Sequence, residues 1–342
     1  MNRKLLLFTL LLFFIFFKNS LSQSETEYNE LFGFSDDSKQ DFSEIDKYVI
    51  NLKFNKNISE KEIVELIIKK STTNIEKARA IFVWIAENIA YDTSYKVTSP
   101  EQSLKHRKGV CQAYSELFKK FGEVAGLEVV VIPGDAKQFN YKKSSDLSNE
   151  GHAWNAFKCN NQKWILLDAT WGAGYVNNGK FNKQFNDFWF DVSPKIYIFT
   201  HFPTDENHQF LEKPISRNDF LRIPPLSPLL ITWSFYTDEL FNYYVNKNNK
   251  GFPDVFSVDV NWKIIKMPIT PKLHRGNTYE FIFEIPENNE VAVIINEKEW
   301  HFAEKNEMRQ TIIINPEKKG KVMVTVKLQN GKYAGVFGYT VE

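Results

Sequence analysis

The feature that most constrains the fold is an amphipathic helix pattern that begins at a cysteine and is followed by two adjacent strand patterns. After Cys111, apolar residues recur at spacings of three and four, which is the period of one helix face. These residues are Tyr114, Leu117, Phe118, Phe121 and Ala125. Gly126 follows at a position where helices commonly end. The pattern predicts a helix over about 111–125, with Cys111 at or next to its N-terminus.

The two β-type runs, 152–158 and 163–168, are separated by polar residues that predict a turn. If Lys158 pairs with Gln162 across a three-residue loop, His152 lies directly opposite Asp168 and shares its face of the sheet. A loop of two or four residues would place them on opposite faces. A site that uses both side chains therefore requires an odd loop or a compensating bulge.

A Cys, a His and an Asp thus occur in that order within 58 residues, from 111 to 168. The local sequences are GVCQAY around Cys111, GHAWN around His152 and LLDATWG around Asp168. A thiol nucleophile needs a base, and the base needs a third group that fixes its tautomer. A helix N-terminus stabilises a thiolate and can stabilise an oxyanion. The pattern favours acyl-transfer chemistry, with Gln112 as a candidate for oxyanion support.

Each residue of this set also has a structural interpretation. Cys111 alone is consistent with an inert buried thiol, since free cysteines are among the most buried residues. His152 alone is consistent with a structural histidine. Asp168 alone could accept backbone N–H groups at the end of its strand.

The second cysteine, Cys159, raises the alternative of a Cys111–Cys159 disulfide in an exported protein. Cys159 lies seven residues beyond His152, about 23 Å along a strand at ~3.3 Å per residue. A disulfide needs Cα atoms within about 7 Å of each other, so a Cys111 that contacts His152 cannot also bridge Cys159.

The remaining histidines show no metal-ligand spacing with carboxylates or cysteines, and no metal or cofactor is predicted. They are His106, His201, His208, His274 and His301.

The N-terminus has the pattern of a secretory signal. Arg3 and Lys4 precede an apolar run over 5–17, and the small residues Ser20 and Ser22 predict cleavage after Ser22. The run is shorter than the roughly 20 residues that span a bilayer, although a retained anchor is the alternative. Loss of residues 1–22 removes three basic residues and no acid, which changes the net charge from +1 to −2. We expect a secreted or periplasmic protein with no nucleic-acid partner and no membrane contact after cleavage.

The rest of the chain divides by pattern. Residues 23–58 are predicted as a leader or linker, 59–215 as an α+β domain that carries the three residues, and 216–250 as a connector. Residues 251–342 contain short β-type runs, with Asn330-Gly331 as a hairpin signal, and predict an immunoglobulin-like sandwich. The runs are 279–285, 291–295, 311–314 and 322–328.

With these residues placed on a helix and two strands, the sequence resembles the transglutaminase-like superfamily, and within it the kyphoscoliosis-peptidase-type branch. The resemblance rests on the three motifs, on WI and IAYD within 84–92, and on HFP at 201–203, and it covers residues 60–215. It implies a papain-like α+β core and thioester-forming acyl transfer, with Cys111 as nucleophile, His152 as base and Asp168 as its orienting partner. The calcium dependence of the animal crosslinking enzymes is not implied, since no clustered acidic loop is present.

The leading hypothesis is an exported enzyme that acts on peptide or protein amides. Hydrolysis is favoured over crosslinking, because transfer to an amine needs a water-poor acceptor pocket. The C-terminal β-domain would position the substrate or bind a cell-surface partner. The alternative is a non-catalytic protein- or surface-binding module on the same fold. A third hypothesis is an amidase for cell-wall peptides or glycans.

Overall fold

The structure is a computed structural model of the 342-residue chain, and it describes eight segments. They are 40–54, 58–138, 151–160, 162–226, 237–246, 251–256, 262–286 and 288–342. The predicted signal peptide, most of the predicted leader, residues 139–150 and part of the predicted connector lie outside these residues. In the described part of the chain, no helix is both long and apolar enough to cross a membrane.

The helices and strands alternate in the first half of the chain, and strands dominate the second half. The α-helices are Ser43–Ile50, Glu60–Ile67, Asn74–Asn88, Pro100–His106, Cys111–Val124, Ala169–Ala173, Pro194–Tyr197, Arg217–Arg222 and Thr237–Phe241. The strands up to residue 203 are β1 (Ala90–Tyr91), β2 (Lys108–Gly109), β3 (Val129–Ala136), β4 (Gly151–Lys158), β5 (Trp164–Leu167), β6 (Gly174–Asn177), β7 (Lys180–Lys183), β8 (Phe190–Val192) and β9 (His201–Pro203). The later strands are β10 (Asp254–Val255), β11 (Lys263–Lys266), β12 (Lys272–Leu273), β13 (Tyr279–Glu284), β14 (Val291–Ile295), β15 (Glu299–Phe302), β16 (Glu304–Asn306), β17 (Arg309–Ile314), β18 (Gly320–Lys327) and β19 (Tyr333–Val341). The predicted α+β class is confirmed.

The contacts divide the described residues into two units. The first contains residues up to 131 together with 153–193, and the second contains 132–152 together with 194–342. Strands β8, β5, β4, β3 and β9 follow one another in that order in a five-stranded sheet. The sequence-based boundaries at 215 and 250 stay predictions.

The first unit is organised around the helix Asn74–Asn88. Its N-cap, Thr73, forms a capping box with Glu76, and the helix buries nine residues on more than one face. The helix that begins at Cys111 and the short helix Ala169–Ala173 both pack against it. The helix ends at Asn88, and β1 begins two residues later at Ala90 and pairs with β2 in parallel.

The β-domain in the second unit has two sheets with immunoglobulin-like topology. One sheet has the order β11-β13-β17-β16, which corresponds to strands A-B-E-D, and the other contains β19-β18-β14-β15, which corresponds to G-F-C-C′. Trp262 stacks on Phe283 at 5.1 Å and on Phe337 at 6.1 Å between the ring centroids, and thereby joins the two inner faces. Gly331 has φ +78° in the turn between β18 and β19, as the Asn-Gly signal predicts. The predicted sandwich is confirmed.

Candidate active site

Cys111 is the first residue of a 14-residue helix, and its side chain is half-buried. The helix has Val110 as its N-cap, no side-chain capping hydrogen bond and no acidic residue in its first turn. A helix start of this kind leaves backbone N–H groups and the positive end of the helix dipole to stabilise an anion. The predicted placement of Cys111 is confirmed, and the local field suits a thiolate or an oxyanion.

The chain just before Cys111 requires a glycine at position 109. Tyr91 pairs with Gly109 across the parallel β1–β2 bridge. A Cβ atom at Gly109 would lie 2.8 Å from Cβ of Ala113 and 2.9 Å from Oγ of Ser103. These distances are too short for any larger residue, so Gly109 lets the chain pass close to the helix start.

Asp168 is fully buried at the end of β5, where it caps the short helix Ala169–Ala173. Its Oδ1 accepts hydrogen bonds from the backbone N–H groups of Thr170 at 2.7 Å and Trp171 at 3.0 Å. The capping interpretation from the sequence is therefore correct, and it does not conflict with the orienting role. The cap holds the carboxylate in one orientation, beside a helix that packs on both the Cys111 helix and β1.

The predicted pairing of Lys158 with Gln162 is wrong. Lys158 pairs with Trp164, and Asn155 pairs with Leu167. The N–H of Cys159 donates to the carbonyl oxygen of Lys163 at 2.8 Å, which extends the ladder by one residue into the predicted turn. The number of residues that separates the two members of each pair is still even, as in the predicted register. His152 and Asp168 therefore still share a face of the sheet, although they are not directly opposite each other.

His152 lies near the start of β4 and is half-buried. His152, Asp168 and His201 each offer one ligand atom, and these atoms lie within 4.8 Å of one another. Two imidazoles and a carboxylate are donors that a Zn²⁺ ion accepts, whereas the sequence predicted no metal. No cysteine belongs to this group among the described residues.

His201 is the residue of this group that the sequence reasoning missed. It is buried, its Nδ1 lies 2.8 Å from Oγ1 of Thr200, and its ring stacks on Tyr197 at 4.1 Å. Its ring centroid is 5.5 Å from that of His152. The motif HFP at 201–203 was the available signal, but a spacing search cannot detect a neighbour 49 residues away along the chain.

Asn155 connects the His152 strand to the Cys111 helix. Its side chain is buried, and its Nδ2 donates to the carbonyl oxygens of Ser115 and Val130, both at 3.1 Å. The hydroxyl of Ser115 in turn donates to the carbonyl oxygen of Cys111 at 3.0 Å. The asparagine in the GHAWN motif therefore fixes the position of the helix that carries the thiol.

Gln112 and Tyr91 are the two candidates for oxyanion support. The side chain of Gln112 is exposed and donates to Oε1 of Glu116 at 2.9 Å, which leaves its backbone N–H in the first helical turn as the relevant group. Burial, followed by the charges of Cys111, Tyr95 and Asp168, raises the pKa of Tyr91 far above its ordinary value. Tyr91 therefore keeps its proton at any physiological pH. Because Tyr91 pairs with Gly109, two residues before Cys111, its hydroxyl is a candidate neutral hydrogen-bond donor for the oxyanion.

We expect Tyr91→Phe to slow acylation of Cys111 by p-nitrophenyl acetate roughly 10²–10³-fold, the effect of removing one oxyanion donor. Alkylation of the same thiol by iodoacetamide should be unchanged, because displacement of iodide develops no oxyanion. Stopped-flow measurement of nitrophenolate release checks the first rate, and mass spectrometry checks the second.

The exposed Tyr175 provides the matched control, since Tyr175→Phe removes the same hydroxyl elsewhere in the first unit. Equal losses in acylation and alkylation for Tyr91→Phe would contradict the donor role, because they would indicate a displaced thiol.

The comparisons with known proteins identify similar sequences for part of the chain. The family model described as the transglutaminase-like superfamily matches residues 61–169, a range that includes Cys111, His152 and Asp168. Residues 61–169 are therefore similar to the transglutaminase-like superfamily. The predicted resemblance to the kyphoscoliosis-peptidase branch is also confirmed.

Two relatives are kyphoscoliosis peptidases. The protein of Mus musculus is 34% identical over 168 residues, which cover 46% of this chain and 25% of that protein. The protein of Homo sapiens is 32% identical over 190 residues, which cover 53% of this chain and 28% of that protein. The chain therefore matches only about a quarter of the length of these relatives.

Solved structures give more distant matches. The crystal structure of a TGase has 17% identity and a TM-score of 0.27, and the match covers 49% of this chain and 41% of that one. The crystal structure of red sea bream transglutaminase has 10% identity and a TM-score of 0.27, with 87% and 54% of the two chains covered.

Proposed function

We propose that this protein is an exported thiol acyl-transfer enzyme that acts on peptide or protein amides through Cys111, His152 and Asp168, with hydrolysis favoured over crosslinking. The observation that carries the proposal is the position of Cys111. It is the first residue of a helix without a side-chain cap, inside the matched transglutaminase-like range. Asp168, a buried carboxylate that caps a helix packed on the Cys111 helix, also supports the proposal.

In the proposed reaction, His152 takes the proton from Sγ of Cys111, and the thiolate attacks the carbonyl carbon of the amide. The oxygen of the tetrahedral intermediate accepts hydrogen bonds from backbone N–H groups at the helix start and from the hydroxyl of Tyr91. The protonated His152 then donates its proton to the leaving nitrogen, the C–N bond breaks, and a thioester remains on Cys111.

The second half of the reaction releases the acyl group. His152 removes a proton from a water molecule, the resulting hydroxide attacks the thioester, and the carboxylic acid leaves as Cys111 regains its thiol. An amine could replace the water, but only in a pocket that excludes water. Asp168 keeps His152 in the orientation that both half-reactions use.

The test is the rate of iodoacetamide alkylation as a function of pH, with each cysteine followed by mass spectrometry. We expect Cys111 to react rapidly well below pH ~8.5, the ordinary thiol pKa, and His152→Ala to abolish this reactivity. Cys159 is an internal reference in the same chain, because burial raises the pKa of its thiol and should keep its alkylation slow. The exposed His274 gives the control variant, since His274→Ala should leave both thiols unchanged.

Two outcomes would count against the proposal. Slow alkylation of Cys111 with an unshifted profile in both the wild type and His152→Ala would favour the non-catalytic binding module. An activated Cys111 whose profile survives in His152→Ala would place the base elsewhere.

A further inference from the structure

Asp92 is a buried carboxylate for which the proposed reaction has no role. Only 3% of its side chain is exposed. Asp92 directly follows Tyr91 and precedes a turn that runs to Val97. Burial of an ionised group is costly unless hydrogen bonds replace its hydration. The hydrogen-bond partners of the Asp92 carboxylate therefore indicate its role.

Both carboxylate oxygens of Asp92 accept hydrogen bonds from the turn. Oδ2 accepts from the backbone N–H groups of Lys96 and Val97, both at 3.0 Å. Oδ1 accepts from the hydroxyl of Ser94 at 2.7 Å and its N–H at 3.3 Å, and from Nζ of Lys108 at 3.2 Å. These hydrogen bonds, that of the Ser94 hydroxyl first, hold the pKa of Asp92 well below its ordinary value.

The turn that Asp92 closes is bonded to the chain just before the nucleophile. The N–H of Asp92 donates to the carbonyl oxygen of Gly109 at 2.9 Å. The N–H of Val110 donates to the carbonyl oxygen of Val97 at 3.0 Å. Asp92 therefore holds residues 109 and 110 from two sides, directly through its backbone and indirectly through the turn.

From this network we infer that Asp92 is a positioning residue, which holds the N-terminus of the Cys111 helix and the hydroxyl of Tyr91 in the geometry of the acylation step. The inference rests on the proposed function and deepens it. Tyr91 precedes Asp92 in the chain and pairs with Gly109, while Val110 is the N-cap of the helix. One carboxylate thus connects the nucleophile and the oxyanion donor.

Asp92→Asn is the informative variant, because it keeps the size of the side chain but replaces one acceptor oxygen with an N–H₂ donor. In either orientation of the amide, that donor faces N–H or O–H donors of the turn. We expect acylation by p-nitrophenyl acetate to fall about 10²-fold, since a misplacement of about 1 Å has this effect on a reacting geometry. We also expect the pH profile of Cys111 alkylation to move toward the ordinary thiol value.

Two controls separate positioning from loss of stability. Lys119→Met removes an exposed pair on the Cys111 helix, in which the side chains of Lys119 and Glu123 are 40% and 57% exposed, and should leave both rates within about twofold. Val49→Ala loosens a buried contact in the helix Ser43–Ile50 of the same unit, and should lower the melting temperature without moving the alkylation profile. All rates are measured at a temperature where circular dichroism shows each variant folded.

The inference is overturned if folded Asp92→Asn acylates and alkylates like the wild type. It is also overturned if Val49→Ala shifts the alkylation profile as far as Asp92→Asn does. An unshifted profile in the wild type would instead contradict the proposed function itself, so the two failures are distinguishable.

Discussion

Arg79→Met is expected to destabilise the first unit by about 3–5 kcal/mol, the effect of breaking a buried ion pair by removal of one partner. The guanidinium of Arg79 is 5% exposed, and its Nε and Nη2 bind both carboxylate oxygens of Asp46 at 2.9 Å and 2.6 Å. Its Nη1 also contacts the carboxylate of Asp187. Loss of the guanidinium would leave Asp46, whose side chain is only 22% exposed, with an unpaired charge.

Aromatic rings surround the same guanidinium and add to the expected loss. Its Cζ lies 5.2–5.7 Å from the ring centroids of four phenylalanines, a distance at which cation–π attraction is favourable. They are Phe42, Phe82, Phe185 and Phe190. Arg79 thus joins the first described helix, the central helix and the segment 185–190, all within the first unit.

Urea unfolding, combined with hydrogen exchange of peptides from the helix Asn74–Asn88, measures the change in this unit. Lys61→Met is the control, because Lys61 and Glu65 form an exposed pair whose loss should cost less than about 0.5 kcal/mol. The double variant Arg79→Met/Asp46→Leu should recover part of the stability, since it removes the orphaned charge. A single variant as stable as the wild type would show that the buried pair contributes nothing.

The sequence predicts those features of this fold that local patterns determine. The periodicity after Cys111 and the terminator Gly126, which has φ +80°, determine the helix that presents the thiol. The Asn-Gly turn is local in the same sense, as is the capping box that the Ser59-x-x-Glu62 spacing indicates, and the structure contains both. Local hydrogen bonds and side-chain periodicity are sufficient for these elements.

The features that the sequence did not predict depend on contacts between distant residues. The register of β4 and β5 differs from the predicted one, because the N–H of Cys159 forms a hydrogen bond to Lys163 and Lys158 then pairs with Trp164 instead of Gln162. No residue preference in 159–162 indicates this hydrogen bond. His201 meets His152 only through the strand arrangement. Arg79 and Asp92 resemble ordinary surface charges in the sequence, and only tertiary packing shows that both are buried.

Lys137 is expected to make the second unit more stable as the pH rises from 7 to 9. The residue directly follows β3, its side chain has no exposed surface, and burial lowers its pKa to about 7. Nζ donates to the carbonyl oxygens of Phe220 at 2.5 Å and Ile223 at 2.7 Å, at the end of the helix Arg217–Arg222. Carbonyl groups at a helix C-terminus lack intrahelical partners, and the two N–H groups of a neutral amine match these two acceptors.

The direction of the pH effect follows from proton uptake. Above about pH 7 the folded protein holds Lys137 without its extra proton, whereas the unfolded chain keeps that proton up to its ordinary pKa of 10.5. The unfolded state binds more protons in this window, so the free energy of unfolding rises with pH. One pKa unit corresponds to 1.36 kcal/mol, which gives an increase of about 2–3 kcal/mol between pH 7 and 9.

The measurement is the difference in urea unfolding between the wild type and Lys137→Met at pH 7, 8 and 9. The wild type should gain stability relative to the variant across this range, because methionine fills the site without a titratable group. Lys266→Met, at a side chain that is 58% exposed, should show no such difference in slope. Parallel stability curves for the wild type and Lys137→Met would mean that the amine stays protonated when buried.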